Sequence, residues 1–182
     1  MRLEKYGLVL LGVVLLSGCE TPVAGRYSIS ADTNAAIKGL STSGVGFGSF
    51  SEPAHYDAMC RALGNIQIAD NLTPGQYIQK AFSDEFSVAG AYAASTPRVT
   101  ISGSVTELAF SSSHNLTHGS WTIGIKLISS NGTHLETRES YEFSSGFAAN
   151  EACRQTADAF PRAVQDLVGK TVHSADFAAL IR

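Results

Sequence analysis

Apolar and polar residues alternate along two neighbouring segments in the second half of the chain, which is the pattern of a half-buried β-hairpin. The first segment begins at Ser120, the second ends at Phe143, and Ser130-Asn131-Gly132 supplies turn chemistry between them. The residues of the mostly apolar face are Trp121, Ile123, Ile125, Leu127, Leu135, Thr137, Glu139, Tyr141 and Phe143. The residues of the polar face are Thr122, Lys126, His134, Glu136, Arg138 and Glu142. The hairpin therefore predicts one buried and one solvated face of an antiparallel sheet.

Two further strands precede this hairpin. Residues 99–105 alternate in the same way, but Leu108 and Phe110 are out of phase with them, which predicts a β-bulge near Thr106 or Glu107. Upstream, residues 44–50 alternate glycine with larger residues, so this strand has one nearly bare face that permits close backbone approach. Its G-x-G-x-G spacing is not that of a phosphate-binding loop, because no G-x-x-G ending and no helix follow.

Two helices are predicted. Thr73-Pro74-Gly75-Gln76 combines a capping box with proline at the first helical position, and the helix it opens should end at Gly90. The last helix is predicted from Asn150 to Val168, with Gly169 as its stop. The element order is then β-α-β-β-β-α. It predicts an α+β fold with an antiparallel sheet of about four strands and two helices packed on one face.

The chain begins with the features of an export signal. Arg2 and Lys5 give a positive start, and residues 8–16 form an apolar run that is too short to span a membrane. Leu16-Ser17-Gly18-Cys19 resembles the bacterial lipobox, in which the cysteine receives a diacylglyceryl group and becomes the N-terminus after cleavage. We therefore predict lipidation of Cys19, with palmitate-type acyl chains. The alternative is an ordinary secretory signal peptide, and either kind of signal would export the chain.

These observations divide the chain into three parts. Residues 1–18 are the predicted lipoprotein signal peptide, and residues 19–42 are the lipidated cysteine and a flexible tether of small, polar residues. Roughly twenty coil residues would reach about 25 Å. Residues 43–182 are a single periplasmic α+β domain. Because Glu20 is not the aspartate that resembles an inner-membrane retention signal, we expect the periplasmic face of the outer membrane.

The remaining cysteines, Cys60 and Cys153, suffice for one disulfide in an oxidising compartment. A catalytic thiol or a metal pair is the alternative, but no histidine lies within four residues of either cysteine in sequence. Cys60, with Met59 and Leu63, is expected in a short helical turn.

Composition and charge narrow the class of partner. The chain has 182 residues, 44% of them apolar and 16% charged, which suits one domain. Removing residues 1–18 leaves 11 basic and 15 acidic residues, and no segment concentrates the bases. We therefore expect no nucleic-acid partner and expect the lipid, rather than charge, to provide membrane attachment.

No constellation predicts catalysis, a metal or another cofactor. His114 and His118 are four residues apart, but residues 111–119 are predicted to form a hairpin loop, where this spacing suits solvated histidines better than metal ligands. Glu136 and Glu142 are interleaved with Arg138, which favours an ordinary charged sheet surface over paired catalytic carboxylates. There is no G-x-S-x-G nucleophile elbow.

The lipobox, the glycine-alternating first strand, the helix opened by Thr73-Pro74-Gly75-Gln76 and the meander turning at Ser130-Asn131-Gly132 resemble small periplasmic lipoproteins of the YajG and LptE type. The chain resembles more loosely the N-terminal domains of LpoB, CsgG and TolB. The resemblance covers about residues 44–180 and implies a role in envelope assembly or maintenance, with an envelope protein as partner.

We therefore expect a non-catalytic, outer-membrane-anchored binding or scaffold module that contacts its partner through the polar hairpin face defined above, with the oligomeric state left open. A carrier of a lipid or other apolar small molecule is the second hypothesis. It rests on aromatic residues that could line a cavity, namely Phe47, Phe82, Phe86, Phe110, Trp121 and Phe160. An envelope hydrolase is the third, and it would need distant groups such as His114 and Asp70 to come together.

Overall fold

The computed structural model describes residues 21–115 and 117–182. The elements of this part of the chain are β1 (Val23–Ala24), α1 (Ala31–Gly39), β2 (Val45–Ser51), β3 (Gln67–Ile68), α2 (Pro74–Val88), β4 (Val99–Asn115), β5 (His118–Ser129), β6 (His134–Ser144), α3 (Ala149–Val172) and α4 (Phe177–Leu180). A single 3-10 turn, Ala69–Asn71, links β3 to α2. Among these described helices, none combines the length and apolar character needed to cross a membrane.

The α+β class is confirmed, but the main sheet of the described chain is mixed rather than antiparallel. Its order is β2-β4-β5-β6, with β2 parallel to β4 and the other neighbours antiparallel. The parallel pair follows from the β2-α2-β4 connection, because a helix that crosses over the sheet returns the chain to the end where the first strand began. β1 and β3 form a separate parallel pair.

The described chain also has more helices than expected. The short α4 buries Phe177 and Leu180 fully, and α1 lies within the segment predicted to be a flexible tether. α3 begins after a cap at Ala148 and continues through Gly169. A Cβ on Gly169 would lie 3.2 Å from Thr33 Oγ1. Gly169 is therefore where α1 crosses α3 closely, not where α3 stops.

Several local predictions are confirmed. Thr73 caps α2 with the full capping box to Gln76, and α2 ends just before Gly90, whose φ is 76°. The register of β4 against β5 shifts between Val105 and Glu107, at the predicted bulge. The predicted hairpin is β5 and β6, although β4 and β5 extend further than expected and replace most of the loop predicted at residues 111–119.

The core lies between the sheet and the helices α2 and α3. On the β2 side, the Phe47 ring stacks on Phe82 at 5.6 Å between centroids. On the β5 side, Trp121 packs 4.8 Å from Phe160 and donates a hydrogen bond of 2.8 Å to the carbonyl oxygen of Thr156. Both helices therefore cover the same face of the sheet, as predicted.

The predicted disulfide is confirmed. Cys60 and Cys153 are bonded and buried, with their Cα atoms 5.8 Å apart. The segment from Cys60 to Leu63 is a tight turn rather than helical. The bond fixes this turn to the second helical turn of α3.

The flexible tether predicted for residues 19–42 is wrong for its described part. Ala24 and Ile37 are buried in the core, and β1 pairs with β3. Tyr77 Oη donates to the carbonyl oxygen of Gly25, and Gln165 donates to that of Ser28. Small, polar residues suggested a chain with little to bury, but they dock here through long-range hydrogen bonds. The folded domain therefore extends back to Pro22, while residues 1–20, including Cys19, lie outside the described part.

A buried carboxylate holds this N-terminal segment. Glu85 of α2 is fully buried, and its Oε1 accepts hydrogen bonds from Tyr27 Oη at 2.8 Å and from the Ser30 backbone N–H at 2.7 Å. Its Oε2 is buried without a partner among the described residues. Asn34 adds a bond of 3.1 Å to the Glu85 carbonyl oxygen. Burial and the Glu85 carboxylate together raise the pKa of Tyr27 well above its usual range, so Tyr27 stays a donor.

Replacing Glu85 with alanine should lower the free energy of unfolding by several kcal/mol, since a buried donor that loses its acceptor costs about 1–3 kcal/mol and two donors are affected. Urea denaturation followed by circular dichroism measures the change. E85Q is the matched control, because its amide oxygen can still accept both bonds and a smaller loss is expected. Equal losses for the two variants would contradict this account.

Replacing both Cys60 and Cys153 with serine should destabilise the domain by about 4 kcal/mol in the chain-entropy model, because the bond closes a loop with a sequence separation of 93 residues. Urea denaturation with and without reductant measures this effect. Reductant should bring the wild-type protein close to the double variant and leave that variant unchanged. A wild-type midpoint insensitive to full reduction would argue against the predicted contribution.

Candidate interaction surface

All six residues of the predicted partner surface lie on the outer face of the sheet, which the helices α2 and α3 do not cover. The register places them in adjacent rows, with Lys126 opposite Glu136 and residue 124 opposite Arg138. Thr122 and Lys126 are half-buried, whereas His134, Glu136, Arg138 and Glu142 are exposed. We call this set, with Glu107 of β4, the outer sheet face.

The bulge in β4 adds Glu107 to this surface. Glu107 lies opposite Gly124, and Gly124 in turn lies opposite Arg138. Arg138 reaches across β5 to Glu107, with Nε 2.7 Å from Oε2. A Cβ on Gly124 would meet Thr106 Oγ1 at 2.8 Å and Glu107 Cβ at 3.1 Å, so the glycine permits this crossing. The bulge and the glycine together build an ion pair between non-adjacent strands.

A second ion pair lies next to the first, two residues further along β5 and two residues earlier in β6. Lys126 Nζ is 2.9 Å from Glu136 Oε1, and this bond lowers the pKa of Glu136. The bond from Arg138 likewise lowers the pKa of Glu107. With both carboxylates ionised at neutral pH and each beside a cation, the surface carries alternating charge. It therefore suits a partner with matched polar groups better than one of uniform charge.

The neighbouring edge strand β6 is partly occupied. Lys170 of α3 donates a 2.7 Å hydrogen bond to the carbonyl oxygen of Arg138 and pairs with Glu139 at 3.2 Å. A strand added at this edge would have to displace Lys170, because a lysine over a sheet edge opposes such pairing. The outer sheet face is thus the more available part of the predicted surface, and Glu139 lies on the opposite face, as expected.

The structure does not assemble the residues of the hydrolase hypothesis into a site. Asp70 is paired with Arg26 at 2.7 Å, which lowers the pKa of Asp70, and His114 is exposed near the end of β4. His114 and His118 lie at strand ends rather than in a loop. Among the described residues, no group of three or more histidine, cysteine, aspartate or glutamate side chains could hold a metal ion.

The aromatic residues of the carrier hypothesis pack against each other as core. Phe110 lies 4.9 Å from Trp121, and Phe47 lies 5.1 Å from Phe86. Three surface depressions of the described chain are lined by other residues. One of about 220 Å³ lies around Arg26 and Tyr77. A second, of about 490 Å³, lies beside Arg98, and a third, of about 430 Å³, lies between Arg61 and Phe147.

Besides Glu107, sequence reasoning missed the buried Glu85 and the exposed apolar residues near the disulfide. Glu85 falls in the apolar stripe of α2, and a lone carboxylate at such a position is the signal that indicates a buried acceptor. Met59 and Leu63 were expected in a helical turn beside Cys60, but their side chains are 48% and 46% exposed. Phe147 is 86% exposed. No local pattern identifies these three as surface residues.

No protein-family model matches the chain, and no curated protein matches it. Among solved structures, the chain is similar to the crystal structure of "a putative lipoprotein from Caulobacter crescentus CB15", with 15% identity and a TM-score of 0.47. The match covers 82% of this chain and 97% of that chain. A likeness of this size assigns no family, so the resemblance to YajG- and LptE-type lipoproteins stays a prediction.

Replacing Arg138 with alanine should raise the pKa of Glu107 back toward its usual range, because the bond from Arg138 is the main cause of its lowering. Carboxyl-detected NMR titration measures this pKa. The pair stabilises the fold only slightly because it is exposed, and that contribution is lost as the pH falls through the lowered pKa of Glu107. K126A is the control: it should move the pKa of Glu136 and leave that of Glu107 unchanged. An unmoved pKa of Glu107 in R138A would show that Arg138 is not the cause of its lowering.

Proposed function

We propose that the chain is a lipoprotein held by lipid on Cys19 at the periplasmic face of the outer membrane, where it acts as a non-catalytic binding or scaffold module in envelope assembly or maintenance. The anchoring part rests on the lipobox, Leu16-Ser17-Gly18-Cys19. The disulfide fits an oxidising compartment and so supports export.

The observation that carries the binding part is the outer sheet face. It is wide, it is left open by both packed helices, and it presents two ion pairs in fixed register. Exposed ion pairs contribute little to folding, so replacing them tests recognition of a partner without unfolding the domain. A protein partner with complementary charges matches this surface.

The carrier of an apolar molecule is the second candidate. It is less well supported, because the aromatic residues that would line its cavity fill the core by contacting each other. The carrier would need α2 or α3 to move away from the sheet.

Crosslinking in intact cells tests the binding role. The full-length lipidated protein is crosslinked and purified, and its partners are identified by mass spectrometry, with C19A as the unanchored control. One dominant envelope protein that is lost in C19A is the expected result. If no protein is recovered, native mass spectrometry for a bound lipid tests the carrier instead.

The surface assignment has its own matched pair of variants. K126A/E136A removes an ion pair from the outer sheet face, and K80A/D84A removes a pair of similar exposure from α2. Both variants should fold with nearly wild-type stability, because exposed pairs contribute little. Recovery of the partner should fall severalfold only for K126A/E136A. Equal recovery with both variants would move the binding site off the outer sheet face.

A further inference from the structure

Three exposed apolar side chains lie at the end of the domain that carries the disulfide. Met59, Leu63 and Phe147 are 48%, 46% and 86% exposed. Arg61 lies between Met59 and Leu63 in the chain and donates a 3.1 Å hydrogen bond to the carbonyl oxygen of Phe147. We call Met59, Arg61, Leu63 and Phe147 the apex.

The apex is rigidly built. Arg61 and Ala62 both have positive φ, 45° and 59°, and the Leu63 N–H donates to the carbonyl oxygen of Cys60 at 2.9 Å, as in a type I′ turn. Residues other than glycine rarely adopt this backbone, so the surroundings must hold it. The disulfide of Cys60 does so from one side. The bonds from Arg61 to Ser112 Oγ at 2.8 Å and to the Ser112 carbonyl oxygen at 2.5 Å do so from the other.

The N-terminal segment enters the fold from this same end. Gly25 lies beside Pro161, Ser28 accepts from Gln165, and Thr33 lies against Gly169, so residues 25–33 run along α3 in the direction of its chain. From Gly25 to Ser28, three residues of this segment advance by four residues of α3, from Pro161 to Gln165. At the same rate, Pro22 lies roughly level with Ala157, in the half of α3 that carries Cys153. The pairing of β1 with β3 agrees with this direction. Residues 58–66, which include the turn at the apex, lead into β3, and β1 runs parallel to β3 and therefore also away from the apex.

This geometry limits where a lipid on Cys19 can be. Cys19 precedes Pro22 by three residues, which span at most about 11 Å when fully extended. A folded domain that begins at Pro22 therefore cannot be raised far from the membrane by a tether. With a lipid on Cys19, the apex would therefore lie close to the bilayer surface.

We propose that the apex is a lipid-contact surface, through which the anchored domain rests on the bilayer with Phe147, Leu63 and Met59 in the headgroup and acyl boundary. This inference depends on the lipidation of Cys19 that the proposed function includes. The partner is a phospholipid surface, chosen over a protein because the covalent anchor brings lipid to within reach of these side chains.

The chemistry of the apex fits this partner. Exposed phenylalanine, leucine and methionine gain by leaving water at a membrane interface. Arg61 uses three of its five N–H groups on Ser112 and Phe147 and has no carboxylate partner among the described residues, so two N–H groups are left for a lipid phosphate. Nearby Asp57 accepts from the Met59 N–H, and Glu151 is paired with Arg154.

Depth-dependent fluorescence quenching tests the inference. Full-length lipidated F147W is reconstituted into vesicles of phosphatidylethanolamine and phosphatidylglycerol that carry brominated acyl chains. The native Trp121 is buried under the sheet and supplies a constant background. With bromines at shallow acyl positions, emission from F147W above this background should fall at least about twofold, since interfacial side chains lie about 5–10 Å into this boundary.

V88W is the matched control. Val88 is 56% exposed, but it ends α2 at the opposite end of the domain, next to the start of β2. Its emission should not change. L63W serves as a second reporter if F147W folds poorly, as judged by circular dichroism and by an intact disulfide.

Vesicle flotation tests the lipid anchor separately from lipid contact by the apex. Protein that floats and is quenched in F147W but not in V88W supports the apex as a lipid contact. Protein that floats with F147W and L63W unquenched overturns it while leaving the anchor intact, and would point to a protein at the apex. Protein that does not float overturns the anchoring in the proposed function and the inference with it.

Discussion

The four-stranded sheet has a single apolar face, and that face has to be covered. Trp121, Ile123, Ile125 and Leu127 all point to one side because side chains along a strand alternate. Both α2 and α3 are therefore needed on that side, and the connection through α2 makes β2 and β4 parallel. The opposite face is left polar and open. The alternation of side chains along the strands therefore produces both the packed face and the accessible face of the sheet.

Much of the fold follows from patterns of short range. The β5–β6 hairpin, the capping box at Thr73 and the bulge before Glu107 each have a local cause, and each was predictable. α1 was not, because its helix is weakly amphipathic and depends on partners far along the chain. Glu85 bonds the Ser30 N–H at its start, and Gly169 makes room for Thr33. The length of α3 is misjudged for the same reason, since Gly169 serves a helix crossing and not a helix end.

The candidate surface also has one part that sequence predicts and another that depends on tertiary structure. Alternation alone places Lys126 and Glu136 on one face, and the hairpin register makes them neighbours. The pairing of Arg138 with Glu107 depends on a bulge and a glycine in two other strands, so sequence shows the parts without their meeting. The apex is harder still. An apolar residue beside a buried cysteine is normally core, and only the tertiary structure shows that Met59 and Leu63 point outward.

The docked N-terminal segment of the described chain couples these two surfaces. A flexible linker of about 25 Å would let the domain turn freely, so that no face had a defined relation to the membrane. Docking of residues 22–40 by Glu85 removes that freedom in the described chain, because β1 and α1 belong to the fold. β4 runs toward the apex, where Ser112 bonds Arg61. An apex resting on lipid would therefore stand the sheet away from the bilayer, with Lys126, Glu136 and Arg138 facing sideways. A partner would then meet this surface at a fixed height and orientation, which lowers the entropic cost of binding relative to a freely tumbling domain.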